Sequence, residues 1–125
     1  GRFFFFFLGF NSQQMEVFRE LNQSFRPASM EITFRIDSLK GLMYNQLTQA
    51  KSDSLQLHQL SDEIGALHSQ LKKETVLFYL RLKEICDPQQ QQQLAEVFKP
   101  LFISESLTDH GNFRNGPGWK RKQTD

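Results

Sequence analysis

The sequence predicts an all-α fold, built as a long antiparallel helical hairpin with a short N-terminal and a short C-terminal helix. Two apolar repeats of about seven residues, separated by one short polar break, predict this fold. An apolar stripe that keeps a period near 3.5 residues over about four heptads is what two long helices need to pack side by side. We therefore expect residues 1–103 to form one helical domain and residues 104–125 to form a flexible polar tail.

The first repeat predicts a helix that runs from about residue 12 to about residue 47. Asn11 precedes it and is a residue type whose side chain accepts a free backbone N–H at a helix start. Pro27 lies inside the stripe, and the heptad phase is the same on both sides of it. We therefore expect a bend near Arg26 and not a break. The apolar positions are Phe18, Leu21, Phe25, Ile32, Ile36, Leu39 and Met43.

The polar break at residues 48–53 predicts that the chain folds back, because so short a connection favours antiparallel neighbours. The second helix should begin near Ser52 or Asp53 and end near Ile85 or Cys86. Its apolar residues step by three and four, and they are Leu57, Leu60, Ile64, Leu67, Leu71, Phe78, Leu82 and Ile85. The stripe misses one turn only, at Glu74. Its expected solvent face carries Gln56, Gln59, Asp62, Gln70, Lys73 and Lys83.

A third helix start is the clearest local signal in the chain. Asp87 suits the N-cap, Pro88 suits the first helical position where its missing N–H costs nothing, and Gln90 suits the capping-box position. The run of glutamines at residues 89–93 then forms the polar first turns. Pro100 is expected to end or bend this helix. Its apolar face should consist of Leu94, Val97, Phe98 and Leu101.

The two ends of the chain differ in character. Residues 3–7 are five consecutive phenylalanines, a run too short to span a bilayer, which needs about 20 apolar residues. Either a short helix that caps the hairpin core or the stub of a membrane anchor explains this run. The tail from residue 104 is polar and favours disorder. Its basic cluster at residues 120–122 is read as solvated, with docking by Phe113 or Trp119 as the alternative.

Composition and motifs exclude several classes of function. A formal net charge of +1, with basic residues spread along the chain, argues against nucleic-acid binding. The single cysteine, Cys86, excludes an intrachain disulfide framework and is expected to be a buried thiol that packs as a small hydrophobe. No nucleophile elbow, phosphate-binding glycine loop or metalloprotease motif is present. We therefore expect no enzyme activity, no catalytic residue and no organic cofactor.

Two degenerate copies of a Leu-Thr-x-x-Gln-like capping motif bracket the predicted hairpin. They read Phe-Asn-Ser-Gln-Gln at residues 10–14 and Cys-Asp-Pro-Gln-Gln at residues 86–90. Over about residues 3–102, this order resembles the small bacterial periplasmic proteins of the Spy/CpxP/ZraP/CnrX type, the heavy-metal sensor and resistance family. The motif residues are Asn11, Gln14, Asp87, Pro88 and Gln90.

The resemblance implies a hook-shaped helical protomer that dimerises and is exported to the periplasm, in some members tethered to the inner membrane. It also implies a role in envelope stress or metal response, as a sensor, as an antagonist of a signalling partner or as a chaperone. Dimerisation is expected on physical grounds as well, because a thin hairpin leaves an apolar strip that a second copy covers.

The metal ligands of the metal-sensing members are not present in this sequence. Their positions fall within residues 3–7, at Asn22 or Gln23, and at about Phe78 and Leu82. Phenylalanine and leucine donate no lone pair to a cation, and amides are poor ligands for borderline metals. The remaining candidates for a divalent metal are His58 and Asp62, which lie four residues apart on one helical face and are more simply a solvated polar pair.

The function expected from this pattern is that of a periplasmic regulator or sensor-like domain that acts by protein–protein contact. The alternative is a Spy-like, ATP-independent chaperone that binds unfolded clients on an apolar and basic face. The candidate contact residues are Arg26, Met30, Phe34 and Arg35, which depart from the single apolar stripe. Packing in the core or at a dimer interface is the other use of these side chains.

Overall fold

The computed structural model describes residues 8–103, and this part of the chain is helical without any strand. It contains helix α1 (Ser12–Leu47), helix α2 (Ser54–Glu84) and helix α3 (Pro88–Phe102). The predicted all-α class is therefore confirmed. None of the helices in the described residues is both long enough and apolar enough to cross a membrane. The phenylalanine run, Phe113, Trp119 and the basic cluster lie outside the described residues, so the expectations for them stay predictions.

The chain divides into two compact units. One unit is Asn11–Ile85 and contains α1 and α2. The other consists of residues 1–10 together with residues 86–125, and its described parts are residues 8–10 and 86–103, which include α3.

Side-chain caps set where α1 and α2 begin. Asn11 caps α1, and Asp53 caps α2 by accepting hydrogen bonds from the backbone N–H groups of Leu55 and Gln56, at 3.1 and 3.2 Å. Helix α1 continues through Pro27 as one element, as the unchanged heptad phase predicts. Residues 48–53 connect the two helices. The expected element ends are therefore confirmed to within about two residues, which is the ordinary uncertainty of a helix end.

The two long helices of the first unit pack against each other along their apolar stripes. Ile32 and Ile36 of α1 form a buried cluster with Leu67 of α2, and Leu39, Ile64 and Leu71 pack around it. Nearer the start of α1, the ring of Phe25 stacks on that of Phe78, with centroids 4.4 Å apart and planes 6° apart. At the connection, Gln46 Nε2 donates to Gln56 Oε1 at 2.9 Å. Residues early in α1 thus contact residues late in α2, and residues late in α1 contact residues early in α2.

At the one turn where Glu74 interrupts the apolar stripe of α2, the buried residue is Thr75. Glu74 is half-buried, and its neighbour Thr75 is 7% exposed. The Thr75 hydroxyl donates to the Leu71 carbonyl at 2.8 Å, so the buried oxygen has a hydrogen-bond partner within its own helix. A polar residue takes the inward position here because its hydroxyl is satisfied locally.

The described part of the second unit has its own buried side chains. Leu94 and Phe98 of α3 are 0% and 5% exposed, and the other buried apolar residues are Leu8, Phe10 and Cys86. One expectation for α3 needs correction. Leu101 is 53% exposed, because it follows the last buried turn of the helix. The helix ends at Phe102, two residues after Pro100, so the expected end near this proline holds to within the ordinary uncertainty of a helix end.

Candidate protein-contact site

The first capping motif joins the start of α1 to the end of α2. Asn11 Oδ1 accepts from the Gln14 backbone N–H at 2.8 Å, and Gln14 Oε1 accepts from the Asn11 backbone N–H at 2.9 Å. The same Gln14 side chain donates through Nε2 to the Ile85 carbonyl at 2.6 Å. Ile85 is the C-cap of α2, so this bond satisfies one of the carbonyls that a helix end leaves open.

The second capping motif repeats this arrangement in the second unit. Asp87 Oδ1 accepts from the Gln90 backbone N–H at 2.7 Å, and Gln90 Oε1 accepts from the Asp87 backbone N–H at 3.0 Å. Gln90 Nε2 donates to the carbonyls of Leu8 and Gly9, at 3.1 and 3.3 Å. Gln90 is 8% exposed, and Pro88 occupies the first turn as predicted. Each motif therefore closes a capping box and also ties down a distant stretch of backbone.

Sequence reasoning found the two caps and missed the second role of the glutamines. A capping box accepts either Glu or Gln at its fourth position, because both offer an oxygen to the N-cap backbone N–H. Only glutamine also carries an NH₂ group that donates to a carbonyl. The choice of glutamine at both Gln14 and Gln90 was the signal that a donor is used there.

Three of the four predicted contact residues share one face of α1. Phe34 lies two residues from both Ile32 and Ile36, about 200° around the helix from each, so it faces solvent opposite the core. Phe34 is 70% exposed and Met30, one turn earlier, is 59% exposed. Arg26 lies one further turn towards the N-terminus and is exposed.

A shallow cavity lies beside Met30 and Phe34, and one charged residue, Asp37, is part of its lining. Met30 and Phe34 line a shallow surface cavity of about 340 Å³ together with Ser29, Thr33 and Asp37. The hydroxyl of Thr33 donates to the Ser29 carbonyl at 2.8 Å and so is already paired within the helix. We call Arg26, Met30, Phe34 and this lining the outer face of α1.

The fourth predicted contact residue lies elsewhere. Arg35 lines a groove of about 480 Å³ between α1 and α2, with Leu39 and Ser38 from its own helix and Glu63 and Gln70 from the facing one. Consecutive residues of a helix are about 100° apart, so Arg35 faces α2 while Phe34 faces solvent. The structure thus separates Arg35 from the outer face of α1.

The candidate metal ligands remain a pair. His58 and Asp62 are both exposed on α2, on its expected solvent side. Within residues 8–103 no group of three or more His, Cys, Asp or Glu side chains comes together in a way that would hold a metal ion. Two ligands are half of the four that zinc takes in structural sites. At the positions of the inherited ligands, Phe78 and Leu82 are buried core residues.

The cysteine is buried, as expected. Burial raises the pKa of the Cys86 thiol, and the neighbouring Asp87 carboxylate raises it further. Because the thiolate is the reactive form of cysteine, this environment keeps Cys86 protonated and chemically quiet at neutral pH.

Comparison of this chain with protein-family models, with curated proteins and with solved structures finds no match. What the fold and the site define is a small all-α protein whose helix ends are tied by two glutamine side chains and whose longest helix presents an apolar pair to solvent.

Proposed function

We propose that this chain is an antiparallel helical hairpin of the Spy/CpxP/ZraP/CnrX type that acts by binding another protein, as a regulator or sensor-like domain of the envelope stress or metal response. It is not an enzyme, and it works in the periplasm. The observation that carries the proposal is the outer face of α1, where Met30 and Phe34 are 59% and 70% exposed on the side away from the core.

The contacts within the first unit support the hairpin. The Phe25–Phe78 stack lies near one end of the helix pair, and the Gln46–Gln56 hydrogen bond lies near the other. The side chains of Gln14 and Gln90, each of which caps a helix and bonds a distant carbonyl, are called the glutamine clamps. They support the relation to the family, because each falls on one of the two motifs that carry the resemblance. Their capping chemistry survives the replacement of threonine by Asn11 and Asp87.

The size of the apolar pair suits a binding anchor. Full burial of a Met or Phe side chain contributes about 1.5–3 kcal/mol. Since both side chains are already part-covered by their own helix, burying the rest of Met30 and Phe34 on a partner contributes about 2–4 kcal/mol. A few such anchors account for most of the energy of a specific interface.

A chaperone function is the second candidate, and the character of the outer face favours it. The cavity beside Phe34 is shallow and open, and Met30 is a flexible side chain that adapts to differently shaped partners. Arg26 adds a positive charge one turn away. A surface of this kind binds unfolded clients with little regard to their sequence.

A photo-crosslinking amino acid at position 34, in full-length protein expressed in its own cells, separates these functions. One discrete adduct supports a regulator, and a broad range of adducts supports a chaperone. The matched control carries the same amino acid at Gln59, which is exposed on α2. No adduct at position 34, or equal adducts at both positions, would overturn the role of the outer face.

Suppression of client aggregation provides an independent readout. A regulator protects no denatured client at a stoichiometric ratio, whereas a chaperone does and loses that protection in Met30→Ser/Phe34→Ser. The control is Ile103→Ser, because Ile103 is 60% exposed but belongs to the other compact unit.

The dimer and the location are parts of the same proposal with separate tests. Several large apolar residues are more than half exposed near the connection between α1 and α2, namely Leu42, Tyr44, Leu47 and Leu55. A second copy is the usual cover for such a surface. Sedimentation at micromolar concentration that shows monomer only would contradict dimerisation.

A fusion of the full gene product to alkaline phosphatase, which is active only after export, tests the periplasmic location.

A further inference from the structure

The last three turns of α2 carry a second exposed apolar surface, distinct from the outer face of α1. Val76, Leu77 and Leu80 are 42%, 47% and 49% exposed. Four basic residues accompany them in the same stretch, namely Lys72, Lys73, Arg81 and Lys83. We call these seven residues the basic apolar face of α2.

The geometry of the helix places this face towards solvent. Phe78 and Leu82 are the buried residues of these turns, and Leu80 lies two residues from each, about 200° around the helix. Val76 lies two residues before Phe78 and one turn before Leu80, so it shares that side. Lys73 precedes Leu77 by four residues. Basic side chains therefore lie next to the apolar ones on the surface of a single helix.

The charge of this face is net positive and local. Between residues 72 and 83 the only acidic residue is Glu74, which is half-buried in a cleft that Leu77 and Arg81 also line. Leu77 and Arg81 therefore border the face on the side of α1, and its outward part consists of Val76, Leu80, Lys72, Lys73 and Lys83. Glu84 is exposed one turn after Leu80 and adds one negative charge to this side, so the four basic residues still leave the face net positive. His58 and Asp62 lie earlier on the same side of α2 and do not extend the group of basic residues. At about 1.5 Å per residue the face is about 18 Å long.

We propose that the basic apolar face of α2 docks on an anionic lipid surface. A helix face with apolar side chains bordered by lysines is the usual interfacial arrangement, because the apolar groups enter the headgroup boundary while the long basic side chains reach the phosphates. The outward side of one helix is convex and fits a flat bilayer without a groove. This surface lies on a different helix from the outer face of α1, so it does not depend on the proposed protein contact.

Charge complementarity favours lipid over a second copy of the chain. In a two-fold contact this face would meet itself and bring its lysines against the partner's lysines, which is repulsive. An acidic protein would also satisfy the charges, and binding to soluble poly-glutamate distinguishes that partner from lipid. An anionic lipid surface supplies negative charge next to an apolar acyl region. The basic side chains of this face match the charge, and its apolar side chains match the acyl region.

Flotation of the full chain with vesicles tests the proposal. We expect binding to vesicles of equal parts phosphatidylcholine and phosphatidylglycerol, weak binding to phosphatidylcholine alone, and loss of binding between about 50 mM and about 500 mM salt as the charges are screened. Lys73→Glu should weaken binding about 25-fold, since each unit of charge near an anionic surface contributes about fivefold. Val76→Ser/Leu80→Ser should weaken it about tenfold or more through lost apolar burial.

The control variant is Met30→Ser/Phe34→Ser, which removes two apolar residues that are at least as exposed but lie on α1. It should bind the anionic vesicles within twofold of the wild type, and circular dichroism should show all variants equally helical. No flotation at low salt, equal flotation with phosphatidylcholine alone, or a greater loss in the control overturns the proposal. Unchanged binding of Lys73→Glu and the serine pair also overturns it, since another segment, such as residues 3–7, then carries the binding.

Soluble poly-glutamate serves as the probe for an acidic protein partner. If the chain binds poly-glutamate as tightly as it binds the anionic vesicles, and if Val76→Ser/Leu80→Ser leaves both affinities unchanged, charge alone explains the interaction. That result overturns the lipid assignment in favour of an acidic macromolecule. Binding to vesicles that exceeds binding to poly-glutamate, and that falls in the serine pair, supports docking on lipid.

Discussion

Replacing Gln90 by alanine tests whether the glutamine clamps hold helix ends in place. The Gln90 side chain accepts from the Asp87 N–H at 3.0 Å and donates to the Leu8 and Gly9 carbonyls at 3.1 and 3.3 Å. It is 8% exposed, so water does not readily replace these bonds. Gln90→Ala should therefore leave up to three backbone groups short of a partner.

The expected loss follows from the cost of unpaired backbone groups. Each buried polar group that loses its partner costs about 1–3 kcal/mol. The Asp87 N–H lies near the surface and the Gly9 bond is long, so we take the lower part of the range for both. The better helix propensity of alanine returns only a few tenths of a kcal/mol. The free energy of unfolding should fall by about 2–4 kcal/mol.

Gln90→Glu separates the donor from the acceptor role. Glutamate keeps the oxygen that caps Asp87 but turns a second oxygen towards the Leu8 and Gly9 carbonyls. Burial and these oxygens disfavour the charged form, so the folded-state pKa of Glu at position 90 should exceed its unfolded value of about 4.3. The stability of this variant relative to the wild type should be greatest below that pH and decrease as the pH rises through the folded pKa, because only the protonated acid donates to a carbonyl.

Urea denaturation followed by circular dichroism, at about pH 5 and about pH 8, measures these changes. The control is Gln92→Ala, because Gln92 is exposed on the same helix, and a surface change of this kind stays within about 0.5 kcal/mol. The reasoning is wrong if Gln90→Ala is as mild as Gln92→Ala. It is also wrong if Gln90→Glu shows the same pH dependence as the wild type.

Five further substitutions have contrasting expected outcomes in the same denaturation assay. Gly65→Ala should stabilise the fold by about 0.5–1 kcal/mol, because an added Cβ meets no atom within 4 Å. Gly9→Ala should destabilise the fold by about 1 kcal/mol, because Gly9 has a φ of +65°, which alanine adopts only with strain. Phe78→Ala should cost about 3–5 kcal/mol, since Phe78 is buried and stacked, and Phe34→Ala should cost less than about 0.5 kcal/mol, since it is 70% exposed. Because the folded-state pKa of Cys86 is raised, this thiol's contribution to the free energy of unfolding is present at neutral pH, begins to fall above the ordinary thiol pKa of about 8.5, and is lost as the pH rises through the raised pKa. Cys86→Ala has no thiol to ionise, so it should lose less stability than the wild type over that alkaline range.

The helix boundaries were predictable because local chemistry sets them. Asn11 and Asp87 accept hydrogen bonds from backbone groups three residues away, so each signal lies within one short stretch of sequence. The apolar stripes of α1 and α2 predicted the inward faces for the same reason, since a helix repeats every 3.6 residues. Thr75 is the exception, because its burial depends on a hydroxyl bond that a hydrophobic pattern does not record.

The long-range features were not predictable in this way. Gln14 bonds to Ile85, 71 residues away, and Gln90 bonds to Leu8, 82 residues away. No local propensity indicates which distant carbonyl an amide will meet. The basic apolar face of α2 was hidden for a different reason. Residues 76–80 are all apolar or aromatic, so hydrophobicity alone does not show that Phe78 points inward while Val76 and Leu80 point outward.

The chemistry of the clamp explains why its motifs are hard to recognise by residue identity. The N-cap needs only a short side chain with an acceptor oxygen, and Asn11 and Asp87 meet that need as well as threonine does. The residue before the cap needs to be apolar and buried, which Phe10 and Cys86 both are. The last position needs an acceptor for one backbone N–H and a donor for a distant carbonyl. Of the two residue types that close a capping box, only glutamine supplies both. A search for related chains should therefore require glutamine at that position, and it should allow any good N-cap and any apolar residue at the positions before it.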